Sequence, residues 1–336
     1  MAESGQATGH QSAAPQSAAA QSAAAQATGY QAMREGVGAL VSERDVVSVS
    51  GPEASVFLQG QLSQDVLAMA ERSSRWGWVL QPAGKVVALV RVYRDRPERY
   101  LLDTDAGFGE SLLARLNRFK LRTKVEMAKL EWCRVAVRGP RFAEVSAPPG
   151  AICVDASWPG LPGVDFLGEG LVLPAGVEEI DPSVFEAARI EAGVPVMGKE
   201  LNEGTIPAET GLIERTVSFT KGCYTGQELV ARIDSRGGNV PRRLRGFLLS
   251  GPIQAPSALA VQAGDKTAAV VTSVARSPRL GWVALGYASR GTEVGATLVL
   301  AAAGDPAGAE AGRGDPLGEV RGGQVTAKVQ ALPLVP

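Results

Sequence analysis

Histidine is nearly missing from this chain of 336 residues; the one example, His10, lies in an N-terminal stretch of Gln, Ser and Ala. Its absence from the body excludes a Ser-His-Asp triad, a Cys-His dyad and a histidine-ligated metal. Cysteine is scarce as well. Cys133, Cys153 and Cys223 are widely spaced and form no CxxC pair, so no disulfide framework and no zinc or iron-sulfur cage built by this chain alone is expected, and no metal ligands are assigned. Charge of one sign is lacking: 34 Lys+Arg stand against 35 Asp+Glu, which gives no electrostatic case for direct nucleic acid binding. No apolar run is long enough to span a bilayer, no hydrophobic signal segment opens the chain, and the arginine expected of a transit peptide is missing from residues 1 to 32. These absences predict a cytoplasmic protein without membrane association. Neither G-x-G-x-x-G nor G-x-x-x-x-G-K-[ST] occurs, so no glycine-rich phosphate loop is available. Any catalysis must run on carboxylates, a thiol, lysine or a bound cofactor.

What is present divides into three parts. Residues 1 to 32 repeat a Gln-Ser-Ala-Ala unit with almost no charge and no apolar stripe, which predicts a disordered low-complexity tail. Residues 33–245 mix strands and helices. The pattern predicts a strand at Val46 to Ser50, a helix from Pro52 to Gln59 broken at Gly60, and a second short helix from Ser63 to Met69. A hairpin follows, Trp76 to Leu80 and Lys85 to Tyr93, turning at Gln81-Pro82-Ala83-Gly84. An amphipathic helix carries Leu112, Leu113, Leu116 and Phe119, and another opens at Asp181-Pro182 and closes at Gly193. From residue 246 to 336 short strands follow one another without a helix, predicting a small antiparallel barrel with a flexible loop over about 302–323. The fold class is α+β.

The most informative stretch is Lys221-Gly222-Cys223-Tyr224-Thr225-Gly226-Gln227-Glu228. Leu229, Val230 and Ile233 then fall at helical spacing, with Glu228 and Arg232 as an i,i+4 pair on the other face, so a helix is predicted to begin near Tyr224 or Thr225. Cys223 would sit beside the positive end of that helix, with Lys221 as a second positive influence, and both favour a nucleophilic or redox-active thiolate. Cys133 and Cys153, each in a strand-like run, read instead as small buried hydrophobes. Gly222 and Gly226 suit close backbone approach or positive φ. Gln227 and Glu228 in a first helical turn are also what simple helix stabilisation selects, and Lys85 reads as a solvated lysine.

The run Phe219-Thr220-Lys221-Gly222-Cys223-Tyr224-Thr225-Gly226-Gln227-Glu228 with Val230-Ala231-Arg232 resembles the signature of the folate-binding YgfZ proteins, which are linked to iron-sulfur cluster assembly or maintenance. Val49-Ser50-Gly51-Pro52-Glu53-Ala54, Phe57 through Val66 and Gln81-Pro82-Ala83-Gly84-Lys85 agree with it, so the resemblance covers about residues 36 to 300. The wider superfamily is that of the glycine-cleavage T-protein, a tetrahydrofolate-dependent aminomethyltransferase. It implies a ring-like body with a central folate cavity, followed by the barrel. Through Arg189-Ile190-Glu191-Ala192-Gly193 it implies Glu191 as the pterin carboxylate, with Arg189 beside it, Phe185 as a stacking wall and Tyr224 as a further wall. Judged by residue type alone, Phe185 and Tyr224 are equally core aromatics, and Arg189 and Glu191 solvated helix charges. Arg44 stands where some relatives have tryptophan. Ala88 and Leu89 stand where the transferase carries an acidic pair, which disfavours aminomethyl transfer.

The resemblance implies a tetrahydrofolate-binding protein supporting iron-sulfur cluster assembly or repair in client enzymes, including tRNA-modifying ones, through Cys223. Its partners would be those clients or cluster-assembly proteins. Two alternatives remain at this point: a folate-dependent aminomethyltransferase or demethylase acting on a small amine, and a binding module that only stores folate or docks to a partner.

Overall fold

The computed structural model describes residues 18–261, 266–300 and 324–335, with side chains from Gln26 onward. The elements run α1 (Ala18–Glu35), β1 (Gly38–Ser50), α2 (Ala54–Gln61), β2 (Ser73–Leu80), β3 (Val86–Arg96), β4 (Arg99–Asp105), α3 (Gly109–Lys120), β5 (Glu126–Leu130), β6 (Cys133–Arg138), β7 (Ile152–Asp155), β8 (Gly163–Gly168), β9 (Glu178–Glu179), α4 (Pro182–Ala192), α5 (Ile213–Thr216) and α6 (Gln227–Ser235). The barrel follows as β10 (Arg242–Leu249), β11 (Ser257–Ala260), β12 (Thr267–Ser277), β13 (Gly281–Ser289), β14 (Thr297–Leu300) and β15 (Thr326–Gln330). Among the described residues, no helix is long and apolar enough to cross a membrane.

The first unit is built on β1, which is long enough to serve two sheets. Gly38 to Glu43 pair with β6, whereas Arg44 to Ser50 pair with β4 and Val46 to Ser50 with β5, giving the order β2-β3-β4-β1-β6-β8-β7. The apolar residues of α2 and α3, among them Phe57, Leu58, Leu112 and Leu116, close over one half against Val47, Val49 and Val90. Each fully buried side chain of this size is worth about 1.5–3 kcal/mol. Helix α4 covers the other half. Its start is fixed by Asp181, whose carboxylate accepts from the Ser183 N–H, followed by Pro182 at the first turn; its end is fixed by Gly193 at φ +72°.

Helix α4 is buried on two sides because it is also the seat of the barrel. Val184, Phe185 and Ala188 face the first unit, whereas Ala187 and Ile190 pack with Leu244, Val283, Leu285 and Tyr287. Strands β10-β13-β12-β11-β14-β15 close into the barrel, as the strand spacing predicted. Across the seam, buried Glu200 accepts from Arg189 Nη1 at 2.9 Å, Ser273 Oγ at 2.5 Å and Thr272 Oγ1 at 2.9 Å.

Several local expectations are corrected. Residues 18–35 form a helix inside the segment expected to be disordered. Tyr30 and Met33 are buried against α4, an anchor that tertiary packing supplies to a sequence with few apolar residues. Residues 1–17 and the expected loop over 302–323 lie outside the described residues. Helix α2 runs through Gly60 to Gln61. No helix forms over Ser63 to Met69, because its polar groups are engaged elsewhere: Gln59 Oε1 accepts the Val66 N–H, and Ser63 Oγ accepts from the Trp78 N–H and donates to the Thr216 carbonyl.

Candidate functional site

Where β1 passes from one sheet to the other, the sheets and α4 enclose a cavity of about 250 Å³. This far exceeds the roughly 10–15 Å³ that a single water requires. Trp76, Leu89, Trp158, Phe185 and Leu212 form its apolar walls, and Arg44, Asp105, Arg134, Arg138, Asp165, Glu186 and Arg189 its polar ones. Phe185 meets Trp158 edge to face, with ring centroids 4.8 Å apart and planes at 61°. Phe185 therefore lines the cavity. Leu89, which the resemblance sets where the transferase carries its acidic pair, lines the cavity, while Ala88 is buried in the core.

The polar wall is an ionic cluster. Arg44 faces Asp105 across the β1–β4 ladder and pairs with it and, at 2.7 Å, with Asp103. Arg91 bonds Asp103 at 2.5 Å and Asp165 at 2.9 Å, and Arg138 reaches Asp165 at 2.9 Å. Arg134 lies 3.9 Å from Asp165 and donates through Nε to Ser42 at 3.0 Å. Burial pushes the Asp165 carboxyl up, but the guanidiniums of Arg138, Arg91, Arg134 and Arg44 outweigh it and hold it well below the usual carboxylate range. For Arg134 the balance is reversed. Burial, with only partial relief from Asp165 and added repulsion from Arg44 and Arg138, brings it down to about 10. This cluster was missed from the sequence, although Arg134 and Arg138 are four apart on one strand and so share a face.

The carboxylate expected to meet the pterin is placed elsewhere. Glu191 is fully buried and off the cavity wall: it accepts from Tyr30 Oη at 2.9 and 3.1 Å and pairs with Arg34, both on α1. The helical period explains this: Phe185, Glu186 and Arg189 share the face of α4 turned to the cavity, and Glu191, two residues beyond Arg189, is rotated about 200° to the opposite face. Arg189 does reach the wall, but it is held by Glu186 at 2.7 Å, by Glu200 and by Ser273 Oγ at 2.8 Å, so it also ties the cavity to the barrel. Burial opposes ionisation of Glu186, but its bonds from Arg189 and Lys199 bring it down to about 2.

The Lys221–Glu228 loop lies outside the cavity wall. Helix α6 begins at Gln227, later than expected, since Gly226 at φ +85° is its N-cap. A Cβ there would fall 2.6 Å from the Gln81 carbonyl oxygen, so glycine lets the loop press on the β2–β3 turn. Gly222 has open space around it. Cys223 thus stands three residues before the N-cap, farther from the positive end of the helix than expected. It is exposed and free, as is Cys153, while Cys133 is half-buried. Exposure of Cys153 departs from the buried reading; it lies on β7, the last strand in the sheet order. Lys221 is held by the backbone: its Nζ donates to the carbonyls of Gln59 and Leu62 at 2.6 Å and Gln64 at 3.1 Å, and lies 5.0 Å from the centre of the Tyr224 ring. Burial pushes Lys221 down to about 8, with the Asp65 charge opposing that push. Tyr224 packs near Trp78 and Val230, away from the cavity wall. Gln227 Oε1 accepts the Tyr224 N–H at 3.2 Å, and no ion pair joins Glu228 to Arg232. Segment Leu62–Gln64 links the two regions: its carbonyls hold Lys221, and Ser63 holds Thr216 on the cavity wall.

Comparison with known proteins places this geometry. Residues 2–150 match the model of the GCVT N-terminal domain. The chain is 31% identical over 223 residues to the mitochondrial iron-sulfur cluster assembly factor IBA57 homologue of Mycosarcoma maydis, covering 59% of this chain and 54% of that protein. It is 28% identical to the tRNA-modifying protein YgfZ of Klebsiella pneumoniae, covering 58% and 66%, and 28% identical to an aminomethyltransferase of Rubrobacter xylanophilus, covering 81% of each. The chain therefore spans about half the length of the fungal relative. Aminomethyltransferase T of the Bartonella henselae glycine cleavage system superposes with a TM-score of 0.75 at 20% identity, covering 92% of this chain and 89% of that one, which shows the fold. The chain is thus similar to YgfZ and IBA57 proteins and has the fold of an aminomethyltransferase.

Proposed function

We propose that this protein binds a reduced folate in the cavity and supports iron-sulfur cluster assembly or repair in client enzymes, tRNA-modifying ones among them, with Cys223 as the residue that meets the client. The observation that carries this reading over aminomethyl transfer is the state of the cavity's acids. Asp105, Asp165 and Glu186 are each ion-paired to arginine, and Leu89 stands where the resemblance sets the transferase's acidic pair, so no free carboxylate faces the space where a general base would act. The names of the fungal and Klebsiella relatives support the cluster and tRNA roles. A cytoplasmic site of action is part of the proposal.

The residues present fit a folate: Phe185, Trp158 and Trp76 offer flat apolar walls, and the arginines offer donors to its acceptors. When bound, such a cofactor supplies a one-carbon unit on its ring nitrogens. The chain's own part is to wall the ring, exclude water and fix the Cys223 loop through Lys221. Replacing Cys223 with alanine should leave the unfolding midpoint unchanged, because the side chain is exposed, and should abolish restoration of activity to a cluster-dependent client in cells lacking the protein. Full client activity in that variant refutes the role of the thiol. Measured aminomethyl transfer by the purified protein would favour the transferase reading instead.

A further inference from the structure

The cavity wall has more cation than anion. Arg44, Arg134, Arg138, Arg189 and Arg215 line it against Asp105, Asp165 and Glu186, with Arg91, Asp103, Lys199 and Glu200 paired to them from behind. Apart from Arg215, which is exposed, the surplus is localised. Arg44 and Arg91 each have two carboxylate partners, and Arg138 has one at 2.9 Å, whereas the closest carboxylate to Arg134 is at 3.9 Å, beyond hydrogen-bond reach. Next to it, Arg138 is 1% exposed, and its Nε is a buried donor without a hydrogen-bond partner. A buried donor left unmade costs about 1–3 kcal/mol, so a wall of this kind needs a reason.

Both guanidiniums flank the same aromatic surface. The Arg134 and Arg138 centres each lie 5.6 Å from the Phe185 ring centre, and Arg138 lies 4.5 Å from that of Trp158. We infer that Arg134, backed by Arg138, is the seat for a carboxylate of the cavity ligand, placed beside a ring held by Phe185 and Trp158. The inference rests on the folate reading and narrows it: the site selects an acidic ligand by its charge, and Arg134 is the specificity-determining residue. An arginine with an unfilled fork is suited to such a group, since guanidinium–carboxylate hydrogen bonds are roughly twice as strong as neutral ones and strengthen where water is excluded.

The test compares tetrahydrofolate with its diamide, in which both tail carboxylates are carboxamides, by anaerobic titration of the purified full chain followed by calorimetry. Wild type should bind the acid at least tenfold more tightly than the diamide. Arg134→Gln should bind the diamide as wild type does and lose most of that preference, while Arg134→Lys should keep part of it. Equal affinity of wild type for acid and diamide overturns the inference and leaves the folate reading standing, a result that needs no variant. An unchanged preference in folded Arg134→Gln also overturns it. Failure of wild type to bind either compound overturns both readings.

Discussion

The substitution Asp165→Asn measures how far the cavity wall depends on charge balance. Asp165 is 3% exposed and accepts from Arg91 and Arg138 at 2.9 Å, with Arg134 at 3.9 Å. Asparagine keeps the shape, removes the charge and aims an amide N–H₂ at a guanidinium. Removing one partner of a buried ion pair costs about 3–5 kcal/mol, because the remaining charges stay buried without compensation. At about 2–4 °C per kcal/mol for a protein of this size class, the unfolding midpoint should fall by about 10 °C. Adding Arg134→Gln to Asp165→Asn removes the cation with the weakest pairing and should restore about 1 kcal/mol or more, a coupling typical of charges in one network. Urea unfolding of the two single variants and the double variant, followed by tryptophan fluorescence, reads all three values. A loss below about 1 kcal/mol in Asp165→Asn, or strict additivity in the double variant, would refute this account of the cluster. The pH dependence has a definite sign. The folded-state value of Asp165 lies below its ordinary 3.8, so its stabilisation is present above about pH 4 and is lost as pH falls through the lower folded value. The gap between wild type and Asp165→Asn should stay constant from about pH 5 to 8 and close only in acid.

Three further outcomes are expected. Arg34→Met leaves Glu191 buried with Tyr30 as its remaining side-chain partner and should cost about 3 kcal/mol in urea unfolding; a cost near zero would mean that α1 is not needed to neutralise that acid. Gly226→Ala forces a Cβ into left-handed backbone and against the Gln81 carbonyl, so a loss of about 2–3 kcal/mol is expected, together with faster alkylation of Cys223 as its loop lifts off the hairpin turn. The Lys221 ammonium, followed by NMR, should titrate near 8 rather than at its ordinary 10.5, and a midpoint above 10 would show that the three carbonyls prevail over burial.

Legibility followed the range of the interactions. The ends of α4 were readable because Asp181, Pro182 and Gly193 act within one turn, and the barrel strands because apolar residues bounded by turns mark them locally. The start of α6 was read early because Gly226 caps in a conformation set by the hairpin it touches, which no nearby residue announces. For the same reason Ser63 to Met69 read as helical, although its groups are claimed by Gln59, Trp78 and Thr216. At the site, Phe185 and Arg189 line the cavity and Glu191 does not, since motif spacing gives neighbours along a helix but not which of them a second helix will cover. Arg134, Arg138 and Asp165 went unremarked because each is an ordinary strand residue until its partners arrive from other strands.

The sequence alone determined the class of chemistry and the broad architecture: no histidine in the body, a single cysteine in a glycine-flanked motif, helices and strands followed by a barrel. Those properties are composition and short-range pattern, which survive in an unfolded chain. Tertiary structure decided which charges meet. It made Lys221 an anchor for three carbonyls, gave Glu191 to α1, and left Arg134 short of a carboxylate on the cavity wall. Pairing of this kind depends on distances between residues tens to more than a hundred positions apart, and burial fixes its strength; neither exists before the chain is folded.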